Sequence, residues 1–397
     1  MTPCLAAGSG IVAFTNARLE TVSKAGVIEQ GTVLVTNGKI SAVGKEVEIP
    51  VSAKVVDMQG KTLMPGIVDP YYVVEIGRNV QASAPRTIVF RGRVFVIGGG
   101  TPAIATSFAK VKDGIDYRKI DWDRARRSGI TSMHLVTRGY AQSLLAQQAE
   151  SLPKQLEDDG KLLVAITNQT KSLNVLRAGL IPKKPSGSSS SRSSASASSA
   201  SRPTSSSSSS SSGTTSKWES VRQGKEAVFV NVNNSAALLH LDKISTQGEK
   251  SKIAVVATGA SVFQTLEAME HENYVYILPP TIDLIPNSAV RINVPKMLKE
   301  EKKSFVFSLS LGQSDFREQQ HTPLFGLGML VKSGLDRETA LAACTIEPAK
   351  LLGIEKQVGS LEKGKMANML VFSEDPLSVT AEVEQVIVEG SSVYETE

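Results

Sequence analysis

Four histidines and two cysteines are the imidazoles and thiols that 397 residues provide: His134, His240, His271, His321, Cys4 and Cys344. Two thiols alone cannot build a thiolate zinc site. Cys4 at the chain start and Cys344 in an apolar helical run give no reason to expect a structural disulfide. The densest group of candidate ligands is Asp315, Glu318 and His321, close together in one polar stretch. With His134 brought in from an earlier strand they could hold a single metal ion. A solvated polar loop is the competing expectation, because such a site needs side chains from distant strands to converge. His134 alternates with Ser132 along an apolar run and reads as a satisfied core or rim histidine. His240 and His271 fall in helix-like stretches and are expected at the surface. No Ser/His/Asp or Cys/His arrangement offers a metal-free nucleophile.

Two glycine-rich segments resemble phosphate cradles and are set aside. GSLEKGKM (359–366) puts Met366 where a magnesium-binding hydroxyl belongs, and a strand rather than a helix is expected after it. Gly98, Gly99 and Gly100 lack the surrounding dinucleotide pattern and read as a hinge. The net charge of +5 does not point to nucleic acid either. Lys183, Lys184, Arg192, Arg202 and Lys217 fall in residues 182–217, which contain no acid. Without these five, the remaining Lys and Arg equal the 39 acidic residues. No apolar stretch approaches the roughly 20 residues of a membrane-spanning helix. The start has neither a basic nor a long apolar segment, so a cytoplasmic location is expected as written, with export if an upstream signal was missed.

The elements that would position these residues alternate in kind. Residues 11–19, 32–36, 40–43 and 54–57 are Val-, Ile- and Thr-rich runs broken by turn signals, among them Asn37-Gly38. Residues 369–372, 385–389 and 392–394 repeat that texture, so both chain ends are expected to share a small β-sandwich. Between them, residues 67–74, 130–137, 162–167, 227–232, 253–258, 274–278 and 305–309 are apolar strands. Several are followed by helical stretches such as 141–149, 262–270 and 295–302, the pattern of a parallel sheet covered by helices. Seven strands are counted where a closed barrel has eight. The missing one is expected where the chain turns to serine. From 186 to 216, 20 of 31 residues are Ser, a segment expected to be disordered. Residues 87–97 read as an inserted hairpin. Asp336 and Thr345 are expected to cap two late helices, and Gly353 to stop the second.

Three groups of motifs carry a resemblance. The first is NGKISAVG (37–44), VVDMQGK (55–61) and MPGIVD (64–69). The second is ALAACTIEPAKLLG (340–353). The third is VGSLEKGKMANMLVF (358–372) with DPL (375–377) and VIVEG (386–390). In this order and spacing they resemble the metal-dependent amidohydrolase superfamily, nearest its imidazolonepropionase-like branch. The resemblance covers residues 11–69 and 305–394 well and 75–225 weakly. It implies an α/β fold: a distorted TIM (β/α)8-type barrel, incomplete if no eighth strand is found, plus the β-sandwich. It implies a composite sandwich of 11–64 and 355–397, a barrel of 65–354 and the serine-rich insert 186–216 within it. It also implies hydrolysis of non-peptide carbon–nitrogen bonds by one or two zinc-like ions, which generate hydroxide at the strand ends.

The chain departs from that pattern at the ligands. The His-x-His pair expected after strand one is replaced by Tyr71 and Val73. Valine cannot bind a metal, and a phenol must lose a proton of pKa about 10 to do so. Asn231, Asn233 and Asn234 follow where a histidine is expected, Thr258 stands at the next strand end, and Ser310 takes the place of the catalytic aspartate. The expectation is therefore a catalytically degenerate relative with no assigned catalytic, cofactor-binding or metal-binding residue and no cofactor. Its strand ends would present Tyr71, Tyr72, Asn231, Asn233 and Ser310 to a small polar ligand or a partner. One alternative is an active hydrolase of a cyclic amide with a single zinc near Asp315 and His321. Another is an interaction protein acting through the serine-rich insert. No nucleic-acid partner is expected.

Overall fold

The computed structural model describes residues 10–74, 86–90, 93–97, 110–120, 122–137, 142–149, 152–157, 160–166, 170–181, 211–248, 250–311 and 322–396. The chain opens with strands β1 (Ile11–Glu20), β2 (Val27–Thr36), β3 (Lys39–Gly44), β4 (Lys54–Asp57) and β5 (Thr62–Pro65). The barrel begins with β6 (Ile67–Val73), followed by the hairpin β7 (Arg86–Phe90) and β8 (Arg93–Ile97), whose strands, among the described residues, pair with each other and no further strand. Helices α1 (Val111–Gly114) and α2 (Asp123–Arg127) lead to β9 (Ile130–Val136), β10 (Leu144–Gln147), β11 (Lys154–Glu157) and β12 (Leu163–Ile166). Then come α3 (Thr170–Leu180), α4 (Ser211–Arg222), β13 (Ala227–Val232), α5 (Ser235–Ser245), β14 (Lys252–Val256), α6 (Gly259–Thr265) and β15 (Tyr274–Leu278). A two-residue hairpin, β16 (Asp283–Leu284) and β17 (Arg291–Ile292), precedes α7 (Val294–Glu300) and β18 (Ser304–Phe307). Helices α8 (Phe325–Lys332), α9 (Arg337–Ala342) and α10 (Ile346–Leu352) return the chain to β19 (Met369–Phe372), β20 (Val383–Val388) and β21 (Ser391–Glu395).

Both chain ends weave one sheet of eight strands, in the order β21-β20-β19-β5-β1-β2-β3, with β4 also paired to β1. The Asn37-Gly38 turn that joins β2 to β3 has φ of 51° and 77°, the positive values its sequence predicts. Strand alternation then divides the side chains between two cores. Leu63, Met369, Val371 and Ile387 pack with Phe14, Leu19, Val33 and Val35 inside the sandwich. Their neighbours Met64, Leu370, Phe372, Val386 and Val388 face the other way and join the barrel's outer core.

The seven expected barrel strands are present as β6, β9, β12, β13, β14, β15 and β18. Strands β12-β13-β14-β15-β18 form a parallel sheet, and β6 pairs in parallel with β9. On β13, Val228, Val230 and Val232 pack outward under the helices, while Ala227 and Phe229 face the lumen with Val68, Ala254, Val256, Ile277 and Val306. Residues of α10, including Ala349 and Leu352, fill the same inner cluster.

Four expectations are corrected, the last of them the capping role of Thr345. The barrel's irregularity does not lie at the serine-rich segment, because β12 and β13 on either side of it are hydrogen-bonded neighbours. It lies between β9 and β12, where β10 runs antiparallel to β9 and reaches the start of β12 through a single Gln142–Leu162 bridge. The helix expected over 141–149 is this strand, since its Leu-Leu-Ala-Gln residues have sheet partners on both sides. Third, α4 begins at Ser211, so the expected disorder does not extend to residues 211–216; residues 186–210 lie outside those described. Asp336 caps α9 by accepting the Thr339 N–H, and Gly353 ends α10 at φ 83°. Thr345 precedes α10 without capping it; its hydroxyl donates to Leu341 O at 2.7 Å. Among the described residues no helix is long and apolar enough to cross a membrane.

Candidate functional site

The carboxyl ends of the barrel strands carry a polar layer above the apolar lumen. Its centre is Asp69, on β6 and fully buried. Asp69 Oδ1 accepts the Tyr71 N–H at 2.9 Å and the Ser308 hydroxyl at 2.7 Å, and Oδ2 accepts the Ser310 N–H at 3.0 Å. Burial pushes the Asp69 carboxyl upward, against the opposing pull of these donors. Ser310 donates its hydroxyl to Tyr71 O at 2.8 Å, and Asn231 Nδ2 donates to Tyr71 Oη at 3.0 Å. Strand β6, the exit of β18 and the end of β13 are thus tied together through Tyr71.

Of the residues expected to line a pocket, Tyr71, Asn231 and Ser310 are brought together. Tyr72 is buried, Asn233 is exposed just past β13, and no bond ties Asn233 to the group. Val73 is 44% exposed. Thr258 caps α6 by accepting the Ser261 N–H at 3.3 Å. Asp315, Glu318 and His321 lie outside the described residues. Sequence reasoning overlooked Asp69 and Ser308. The available signal was a lone acid in an otherwise apolar buried strand, which must find partners to be tolerated.

His134 points into the barrel from β9 and is 1% exposed, as a satisfied core histidine should be. Its Nδ1 lies 2.8 Å from Pro70 O, a carbonyl that can only accept, so Nδ1 carries the proton. Nε2 therefore accepts the Ser143 hydroxyl, and Ser143 Oγ accepts the Lys161 N–H at 2.9 Å. Burial drives His134 down to about 3, so the ring is neutral at pH 7. Phe229 stacks obliquely on it, ring centroids 4.4 Å apart. This serine–histidine contact has the pairing of a nucleophile and its base, but both residues are buried away from solvent. It is a cross-tie between β6, β9, β10 and β12 at the point where the barrel's ladder is interrupted. His240 is exposed on α5 as expected. His271 is not at the surface: it is buried, with Nε2 3.0 Å from Ser251 O, and burial lowers its pKa.

A catalytic zinc takes three imidazole or carboxylate donors with an open position. Among the described residues no three His, Cys, Asp or Glu side chains lie close enough to hold an ion. Both nitrogens of His134 and both oxygens of Asp69 already serve internal bonds. The described strand-end residues do not fit the metal that the fold implies.

The fold and its sequence matches converge. The pattern of the amidohydrolase family matches residues 326–394. The chain resembles the amidohydrolase superfamily, nearest its imidazolonepropionase-like branch. An imidazolonepropionase from Geobacillus sp. (strain WCH70) is 23% identical over 393 residues, covering 89% of this chain and 86% of that protein. A second, from Geobacillus kaustophilus (strain HTA426), is 30% identical over 150 residues, 35% of this chain and 34% of the relative. In structure, an amidohydrolase from Thermotoga maritima MSB8 superimposes with a TM-score of 0.68 at 19% identity, covering 97% of this chain and all of the other.

Proposed function

We propose that this chain is a catalytically degenerate amidohydrolase relative, which keeps the scaffold and uses the strand ends around Tyr71, Asn231 and Ser310 to hold a small polar ligand or support a partner. One observation carries the reading. Hydroxyl and amide groups stand at the strand ends, and the buried acid and imidazole nearby are engaged by neighbours, Asp69 by Tyr71, Ser308 and Ser310 and His134 by Pro70 and Ser143. A group engaged in this way is not available to bind an ion or deprotonate a water without breaking a buried bond. Val73, at the second position of the expected ligand pair, has no donor atom at all.

The test is hydrolysis of the substrate that the Geobacillus relatives' name specifies, imidazolonepropionate, by the full chain with zinc added. The expected outcome is no turnover above the buffer rate. Turnover that a chelator stops, and that is lost on changing Asp315→Ala together with His321→Ala, would establish the active single-metal enzyme instead.

A further inference from the structure

On the helix side of β15, Tyr274 and Tyr276 are two residues apart and so direct their rings to the same face. Their ring centroids lie 5.9 Å apart, and the residues are 4% and 0% exposed. Among the described residues, neither phenol oxygen has a partner at full hydrogen-bond geometry. Helix α5 brings Asp242 and Ser245, both buried, over the start of this strand. Asp242 is fixed there, its Oδ1 accepting the His271 N–H at 3.1 Å and its Oδ2 the Glu270 N–H at 3.0 Å. Ser245 donates its hydroxyl to Leu241 O at 2.9 Å, which leaves its oxygen able to accept. Asp242 and Ser245 both act on the Tyr274 phenol, although neither meets it at full hydrogen-bond geometry. Burial first, and then the charge of Asp242, pushes both phenols upward, which keeps them protonated donors.

Two buried hydroxyl donors therefore face a carboxylate and a hydroxyl oxygen that each retain acceptor capacity. Native interiors rarely leave such groups unmet, and buried waters commonly make about three bonds to groups of this kind. We infer that an internal water sits between Tyr274 Oη, Tyr276 Oη, Asp242 and Ser245, accepting from the two phenols and donating to the carboxylate and the serine oxygen. The site is on the outer face of the sheet, away from the strand ends, so it stands independently of the function proposed above. It accounts for tyrosine at both positions, where phenylalanine would fill the same apolar volume.

High-resolution diffraction from crystals of the full chain tests it, together with the melting temperatures of Tyr276→Phe and Tyr274→Phe. The expected result is a solvent peak within hydrogen-bond distance of both phenol oxygens, with each substitution lowering Tm by about 1–3 °C. A dry interior overturns the inference, and so does a rise in Tm, since phenylalanine would then only delete an unmet hydroxyl.

Discussion

Asp69 is a carboxylate spent on architecture. It joins strands from opposite ends of the barrel, 239 residues apart in the chain at Ser308. That separation is why the sequence did not reveal the pair: Ser308 is unremarkable until β18 is laid beside β6. Changing Ser308→Ala leaves Oδ1 with the Tyr71 N–H alone. The expected loss is about 1.5–3 kcal/mol, the range for a hydrogen bond to a charged group, measurable by urea unfolding. His134 makes a different demand. Its folded pKa of about 3 lies below its ordinary value of 6.5, so between these limits the unfolded chain binds the extra proton. Stability should therefore climb from about pH 3 to pH 6.5 and be level above, with about 3–5 kcal/mol of that rise due to this ring. His271, also lowered, adds to the same slope. In urea titrations across this range, His134→Gln should be less stable at pH 7 and show a visibly flatter pH profile. An unchanged slope would remove His134 from the explanation. The inward alternation of His134 with Ser132 was legible in the sequence; its partner Ser143 was not, because residues 141–149 read as a helix and their true strand is fixed by sheet neighbours.

At the scale of elements, helix α4 shows how the chain re-enters the barrel after its serine-rich stretch. Trp218 of α4 is buried against α3, directly over Gly179, where an added Cβ would come within 2.5 Å of the indole ring. Arg222 donates to Gly179 O at 2.6 Å, and Lys217 reaches Gly160 O. The glycine is thus required by close approach. Gly179→Ala should overpack the contact and cost about 1–3 kcal/mol. In a Trp122→Phe background, where Trp218 is the remaining indole, the same change should shift tryptophan emission to the red as α4 lifts. The parallel strands were legible because β-branched runs buried on both faces announce themselves without regard to partners. The antiparallel β10 was not, since alanine, leucine and glutamine favour a helix until a neighbouring strand decides otherwise.

The whole molecule is held together where its two ends meet the barrel. Arg337, at the start of α9, donates to Glu20 Oε1 of β1 at 2.5 Å and to both carboxylate oxygens of Asp375 at 2.9 Å. Arg18 also bonds Glu20, at 2.7 Å, so Arg337→Ala would not strand the buried Glu20. The expected cost is about 1–2 kcal/mol, read in calorimetry as one transition displaced to lower temperature. Two separated transitions would mean that sandwich and barrel unfold independently. Shared strand pairing between the chain ends was foreseeable from their matching texture and motifs, whereas this ion network depends on a tertiary junction. The central claim is that this superfamily scaffold no longer holds a catalytic ion, and the measurement that bears on it most directly is the zinc content of the purified full chain after incubation with excess zinc and desalting. The account predicts far less than one equivalent retained. One equivalent, held tightly and removed only by a strong chelator, would contradict it.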